Sequence, residues 1–244
     1  MKATGRLILA LDGVDSRQSV DLMQRLGGVT RLCKVGPALF HSGGRELLER
    51  LGEIGVEVFL DLKFHDIPQT VFSAVRNLCA PPVRFLTIHA LGGPKMMRRA
   101  VEAVREAAGR NGSPVDLLAA TILTSLGPAD LPGLGIDRPL EEETRNLALL
   151  ARDSGLQGIV CSGREAGSIR TACGNRFLIV TPGVRPAGGP SQDQVRTVTP
   201  AAAIRAGADF LVVGRPIMQA ADPVAAAREI DAEIETARKA RKER

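Results

Sequence analysis

Short apolar segments and longer amphipathic segments alternate along the whole chain. The apolar segments are nearly continuous runs of Val, Ile, Leu and Ala, a pattern typical of strands that are covered on both faces, as in a parallel sheet. Eight of them are predicted as strands: 6–12, 31–36, 56–63, 83–90, 115–123, 156–162, 176–183 and 209–215. The intervening segments place apolar residues at helical spacing and are predicted as helices: 16–26, 43–54, 67–79, 95–109, 140–154, 164–173, 200–206 and 223–238.

The strict alternation of strands and helices indicates βαβ units and a parallel sheet. Eight units in 244 residues fit a (β/α)8 barrel better than a doubly wound sheet, which more often has fewer strands. The predicted fold class is therefore α/β, a single (β/α)8 TIM barrel over residues 1–237, with a basic tail at 238–244. The long loop 184–199 is rich in Gly, Pro and polar residues, and we expect it to act as a lid.

Composition narrows the classes of function. Only 3% of the residues are aromatic, seven Phe with no Tyr or Trp, which argues against a platform that stacks bases and predicts an aliphatic core. The net charge is +5, but the segment 238–244 holds five basic residues and one acidic residue and so accounts for +4 of it. The body of the chain has no basic stripe, and we expect neither a nucleic-acid partner nor a membrane partner.

The four cysteines predict neither a disulfide framework nor a zinc site. Cys33, Cys79, Cys161 and Cys173 form no C-x-x-C pair, and no histidines stand at matching spacing. The apolar stretch at the N-terminus is too short for a signal peptide. The sequence therefore predicts a reduced, cytoplasmic protein with no bound metal.

Charged residues end the first three predicted strands. Because barrel enzymes carry their active sites at the carboxyl ends of the strands, Asp12, Lys34, Asp61 and Lys63 are expected at one mouth. Asp61 and Lys63 are two residues apart, which on a strand points both side chains the same way. With Asp66 they form D-x-K-x-x-D, and we expect an alternating array of Lys34, Asp61, Lys63 and Asp66. Neighbouring carboxylates would keep Lys63 protonated, so that it acts as an acid rather than as a nucleophile.

The last two strands carry a second signal, which indicates a phosphate site. The loops after strands seven and eight of such barrels often bind phosphate. Gly214 would let the backbone approach a ligand closely, and Arg215 supplies a bidentate donor. Arg185 ends the preceding strand, and Gln194 could reach over from the predicted lid.

These residues resemble the orotidine 5′-phosphate decarboxylase family. The segment DLKFHDIPQTV (61–71) is similar to the signature of that family, and the resemblance covers nearly the whole chain. It includes these further segments: LALD (9–12), KVGP (34–37), ILTS (122–125), TPGVRP (181–186), QVRTVTP (194–200) and VVGRPI (212–217). The resemblance implies a cofactor-free homodimer of two barrels that converts orotidine 5′-monophosphate into UMP and CO2, the last step of de novo pyrimidine biosynthesis.

The resemblance also implies roles for individual residues. Lys63 would donate a proton to C6 of the pyrimidine, with Asp61 near the substrate carboxylate, and Asp12 and Lys34 would contact the ribose. The other implied contacts are Asp66 and Ile67 in the neighbouring subunit's site, Thr70 in the same segment, Thr124 and Ser125 near ribose and base, and Arg185, Gln194, Gly214 and Arg215 at the phosphate.

Two alternatives remain open at this point. A sister barrel lyase of the hexulose-phosphate synthase or ketogulonate-phosphate decarboxylase type shares the D-x-K centre but uses Mg²⁺ and sugar phosphates. A non-enzymatic barrel that binds nucleic acid through its basic tail would show salt-sensitive binding that is lost on deletion of 238–244. The histidines His41, His65 and His89 are expected to have structural roles.

Overall fold

Eight parallel strands form a closed barrel in the computed structural model, which describes residues 5–112, 115–186 and 197–242. Each strand pairs with its neighbours in chain order, and β1 pairs with β8 to close the sheet. This arrangement confirms the predicted TIM barrel and every predicted strand. The strands are β1 (Leu7–Ala10), β2 (Leu32–Val35), β3 (Glu57–Phe64), β4 (Val83–His89), β5 (Asp116–Ala120), β6 (Gly158–Val160), β7 (Leu178–Thr181) and β8 (Phe210–Val213).

Helices follow the strands and cover the outside of the barrel. In the described part of the chain they are α1 (Ser16–Leu26), α2 (Pro37–Glu53), α3 (Pro68–Leu78), α4 (Gly93–Asn111), α5 (Leu140–Asp153), α6 (Ala166–Cys173), α7 (Pro200–Ala206), α8 (Arg215–Met218) and α9 (Pro223–Lys242). α2 begins at Pro37, before the predicted 43, because proline is favoured in the first turn. Gly44, at φ 53°, then kinks that helix, and the short α8 was not predicted. No helix among these residues combines the length and the apolar character needed to cross a membrane.

The last helix runs past the predicted boundary between barrel and tail. Residues 238–242, the first part of the predicted basic tail, continue α9. Ile234 and Ala237 are buried, and Arg241 donates to the carbonyl oxygens of Ile204 and Ala208, at 3.3 and 3.4 Å. These contacts stabilise the last turns because they pack and hydrogen-bond α9 against α7 and the start of β8.

The inside of the barrel is filled by rings as well as aliphatic side chains. Phe59, Phe85 and Phe210 pack edge to face, with ring centroids 6.0 and 5.0 Å apart along the series. The guanidinium of Arg84 lies over two of these rings, 4.9 Å from Phe85 and 5.1 Å from Phe210, and pairs with Glu57 at 2.8 Å. The expectation of an aliphatic core was therefore wrong for the barrel interior, where three of the seven Phe are concentrated.

The inward-facing positions lead directly to the mouth of the barrel. Strand residues alternate between the two faces, so the residue two positions after an inward-facing one also faces inward. The lower inward layer holds Ile8, Leu32, Phe59, Phe85 and Leu118. The next positions on the same strands are Ala10, Lys34, Asp61, Thr87 and Ala120. Polar groups thus replace apolar ones on three adjacent strands, while the alanines on the two flanking strands leave space beside them.

Candidate active site

A cavity of about 910 Å³ opens at the carboxyl ends of the strands. It brings together residues from both halves of the barrel that the sequence placed far apart. The predicted site residues that line it are Asp12, Lys34, Asp61, Lys63, Thr124, Ser125, Arg185, Gly214 and Arg215. The structure therefore assembles most of the predicted site within one chain.

Four of these residues form a chain of alternating charges across the first three strands. Lys34 Nζ donates to Asp12 Oδ1 at 2.8 Å and lies 4.0 Å from Asp61 Oδ2. Lys63 Nζ donates to the same Asp61 oxygen at 2.8 Å. Asp61 is buried, whereas the side chain of Lys63 is 34% exposed and that of Asp12 is 66% exposed. A buried carboxylate is costly unless it is paired, and two ammonium groups compensate this one.

An irregularity in the sheet sets the direction of Lys63. Leu60 pairs with Leu86 and Phe64 with Ile88, so three residues of β3 lie opposite the single residue Thr87 of β4. Lys63, within this bulge, has a φ of 48°, in the left-handed region that non-glycine residues seldom adopt. Bulges of this kind redirect side chains beside active sites. The predicted proximity of Asp61 and Lys63 is thus present, although the strand is not regular between them.

The D-x-K-x-x-D segment departs from the predicted array after Lys63. β3 ends at Phe64, and Asp66 is exposed, where its Oδ1 accepts a hydrogen bond from the backbone N–H of Ile67 at 2.6 Å. Among the described residues of this single chain no ion pair joins Asp66 to Lys63, so one chain by itself does not complete the array expected from spacing. Ile67 is 67% exposed, Thr70 is exposed, and neither lines the cavity. The turn into α3 points this segment away from the chain's own site.

Arginines occupy the opposite side of the mouth. Arg185 is only 8% exposed, and its Nη1 donates to its neighbour's carbonyl, Val184 O, at 2.9 Å. Its backbone N–H donates to Val198 O at 2.9 Å, within a short parallel bridge between Val184 and Val198. Arg215 follows Gly214, where an added Cβ would approach Ala10 Cβ to 3.3 Å. Gln194 lies outside the described residues.

The structure adds site residues that the motif reading did not single out. Thr121 lines the cavity after β5 and donates through Oγ1 to Val160 O at 3.0 Å. Cys161 lines it as a buried thiol, and Met218 and Gln219 reach it from the end of α8. Thr87 lies behind the cavity. The sequence could have indicated its inward position, because Thr87 stands two residues after the inward-facing Phe85 on the same strand.

Two histidines stack beside the site without lining it. The rings of His65 and His89 are 5.3 Å apart, and His89 Nδ1 accepts a hydrogen bond from Leu91 N–H at 3.4 Å. Burial lowers the pKa of His89, and the neighbouring His65 and Lys63 lower it further. A neutral ring that accepts a backbone hydrogen bond agrees with the predicted structural role.

The fold and the position of the charged groups define the class, an α/β-barrel enzyme with its site at the carboxyl ends of the strands. Comparison with known proteins then specifies the family. The sequence model of the orotidine 5′-phosphate decarboxylase / HUMPS family matches residues 5–230, and the chain belongs to this family.

Relatives match over nearly their full length. Proteins named orotidine 5′-phosphate decarboxylase from Syntrophotalea carbinolica and Moorella thermoacetica are 49% and 48% identical, over 97% and 96% of this chain and 98% and 94% of their own. A crystal structure of orotidine 5′-phosphate decarboxylase from Lactobacillus acidophilus is 36% identical, with a TM-score of 0.83, and the match covers 94% of this chain and 98% of that one.

Proposed function

We propose that the chain converts orotidine 5′-monophosphate into UMP and CO2 in pyrimidine biosynthesis, with Lys63 as the proton donor and without a cofactor. Family membership and the names of the full-length relatives support the decarboxylase activity. The observation that carries the residue roles is the chain of charges Asp12, Lys34, Asp61 and Lys63 inside one cavity. We expect the enzyme to be cytoplasmic.

In the proposed reaction the bond between C6 and the carboxylate breaks and its electron pair stays on C6. CO2 leaves, and Lys63 Nζ transfers a proton to the carbanion. No conjugated system accepts this charge directly, so an ammonium group that is already in place is the stabilising element. Lys63 suits this role because Asp61 holds its ammonium at 2.8 Å while part of the side chain still reaches the cavity.

The remaining cavity residues are assigned to binding. Asp12 and Lys34 would contact the ribose, Thr124 and Ser125 the ribose and base, and the two arginines with Gly214 the phosphate. Arg185 and Arg215 lie across the cavity from the Asp61–Lys63 pair. The phosphate and the carboxylate of the substrate would therefore bind at opposite sides of the cavity. Binding energy from a remote phosphate can favour the transition state of the reacting group. Gln194 is retained as a proposed phosphate contact.

The outward-facing part of the motif supports a homodimer with a shared site. Asp66, Ile67 and Thr70 face away from the chain's own cavity, and the apolar side chains of Ile67 and Leu91 are 67% and 43% exposed on neighbouring loops. A second copy, related by a two-fold axis, would cover these side chains and receive Asp66 at its Lys63.

Turnover of orotidine 5′-monophosphate with and without EDTA tests the activity. We expect full activity with EDTA, none for Lys63→Ala, retained UMP binding by that variant, and normal activity for the exposed control Lys239→Ala. Near-normal decarboxylation by Lys63→Ala would contradict the proton-donor role. Loss of activity with EDTA would favour the Mg²⁺-dependent lyase. Among the described residues no group of three or more His, Cys, Asp or Glu is placed to hold a metal.

Subunit mixing tests the shared site. Lys63→Ala and Asp66→Ala are each expected to be inactive alone, because every site then lacks one group. In mixed dimers one of the two sites holds both an intact Lys63 and the partner's Asp66, so a refolded equal mixture should recover about a quarter of wild-type activity. No recovery in mixtures shown to contain mixed dimers would contradict the shared site.

A further inference from the structure

A buried threonine connects the two residues of the proposed proton-transfer pair from behind. Thr87 lies on β4, is fully buried, and faces the bulge of β3 that contains Asp61 and Lys63. Its Oγ1 accepts a hydrogen bond from the backbone N–H of Lys63 at 2.9 Å. The same oxygen donates to Asp61 Oδ1 at 3.0 Å.

The first hydrogen bond bears on the backbone of Lys63. The bulge interrupts the regular pairing between β3 and β4, so the N–H of Lys63 is held by a side chain rather than by a carbonyl of the sheet. Lys63 also has the left-handed φ of 48°, a conformation that is costly for a residue with a side chain and persists only where its surroundings enforce it. The threonine hydroxyl is one of the groups that hold this backbone in place.

The second hydrogen bond bears on the orientation of the Asp61 carboxylate. Lys63 and Lys34 both approach Oδ2, at 2.8 and 4.0 Å. The other oxygen, Oδ1, receives the hydroxyl of Thr87. With one oxygen held from the strand behind it, the carboxylate keeps Oδ2 directed at the ammonium of Lys63.

We infer that Thr87 is a positioning residue, which fixes both the backbone of Lys63 and the carboxylate of Asp61 through one hydroxyl. Thr87 is not among the residues that line the cavity, so it acts through these two neighbours. The inference rests on the proposed function, since positioning matters for turnover only if Lys63 and Asp61 act on the substrate. This role requires the hydroxyl group of Thr87 and not merely a side chain of that size.

Thr87→Val removes the hydroxyl and keeps the shape, whereas Thr87→Ser keeps the hydroxyl. The matched control is Thr30→Val, because Thr30 is also buried and its hydroxyl likewise both donates and accepts. It donates to Leu7 O at 2.7 Å, with Leu32 O at 3.4 Å, and accepts from Leu32 N–H at 3.2 Å. Thr30 makes these bonds beneath the cavity, at the amino ends of β1 and β2, so its variant measures the cost of losing such a hydroxyl without disturbing the site.

We expect Thr87→Val to lower kcat by about 10- to 100-fold, the size of effect that small misplacements of reacting groups produce, while the Kd for UMP changes less than about threefold. Thr87→Ser and Thr30→Val should both stay within about threefold of the wild-type kcat. Should Thr87→Val fail to fold, Thr87→Cys replaces it, since a thiol of similar size is a weak hydrogen-bond donor and acceptor. Equal kcat for Val (or Cys) and Ser variants would overturn the inference, as would a loss in Thr30→Val as large as that in Thr87→Val.

Amide hydrogen exchange over residues 61–66 provides a readout that does not depend on activity. The Lys63 amide should exchange faster in Thr87→Val than in the wild type, and at the wild-type rate in Thr87→Ser. Unchanged exchange in Thr87→Val would contradict the role at the backbone. A wild-type protein that does not turn over orotidine 5′-monophosphate would refute the proposed function instead, and the exchange comparison would still decide whether Thr87 holds Lys63.

Discussion

Replacing Asp61 by Asn tests whether the alternating charges at the mouth of the barrel are required for catalysis. The substitution keeps the shape of the side chain and removes the negative charge shared by two ammonium groups, with Lys63 at 2.8 Å and Lys34 at 4.0 Å. Lys34 retains Asp12 as a partner at 2.8 Å, whereas among the described residues Lys63 has no second carboxylate within ion-pair distance. Within its own chain, the ammonium of Lys63 is therefore the group that loses its carboxylate partner.

The distances set the scale of the effect. At an effective dielectric constant of about 20, unit charges at 2.8 and 4.0 Å attract each other by about 6 and 4 kcal/mol. Desolvation of the buried carboxylate offsets much of this gross attraction, and the partial exposure of Lys63 reduces it further. The net cost of removing one partner of a buried pair is about 3 kcal/mol. For Asp12→Asn, the matched control, the exposed carboxylate predicts a loss of no more than about 1 kcal/mol.

Two measurements separate stability from catalysis. Urea unfolding should show the larger loss for Asp61→Asn, and steady-state kinetics should show a kcat reduced by about 10²- to 10³-fold, as expected when a preorganised electrostatic group is lost. UMP affinity should change far less, because the two arginines at the other side of the cavity are intact. A kcat within about tenfold of wild type, in a variant that is folded, would refute the reasoning that Asp61 holds Lys63 for proton transfer.

Three further predictions concern the framework around the site. Arg170→Met should lower the free energy of unfolding by about 3–5 kcal/mol, while kcat at low temperature is retained. The reason is that the guanidinium pairs with Asp209 at 2.6 Å and donates to three carbonyl groups under the barrel. A denaturant midpoint close to wild type would contradict this prediction. Gly158→Ala should give little folded protein at elevated temperature, because an added Cβ would lie 2.4 Å from Leu178 O across the sheet, and an unchanged melting temperature would disprove it. Because burial lowers the pKa of His89 in the folded state, the unfolded chain takes up the proton first and stability falls as the pH drops below 6.5. His89→Asn should weaken that pH dependence, measured as the unfolding midpoint on either side of pH 6.5, and an identical slope would argue against His89 as its source.

Most of the predicted site residues line one cavity of the chain, and those that do not have identifiable reasons. Spacing places Asp66 beside the Lys63 of its own chain, but the turn into α3 leaves it exposed, where it accepts a hydrogen bond from the Ile67 backbone. Thr87 was overlooked because threonine in an apolar strand is common and carries no motif. Its inward position was nevertheless readable from the alternation through Phe85. Gln194 stays a prediction, since it lies outside the described residues.

The sequence by itself determined the order of the strands and helices and the end of the barrel at which the candidate active site lies. Apolar runs of strand length alternate with helical periodicity, and the polar residues that end those runs, Asp12, Lys34, Asp61 and Lys63, can meet only where parallel strands end together. These are properties of local pattern combined with one topological rule, which explains why they could be predicted.

Only the tertiary structure determined the directions of those side chains. The bulge that gives Lys63 its left-handed backbone depends on the register between β3 and β4, which two strands set jointly and neither shows alone. The placement of three Phe inside the barrel and the burial of α9 against α7 are likewise outcomes of packing between distant segments. The hydrophobic pattern determines which face of an element is buried, whereas non-local contacts determine which residues that face packs against. The geometry of the proton-transfer pair depends on such non-local contacts.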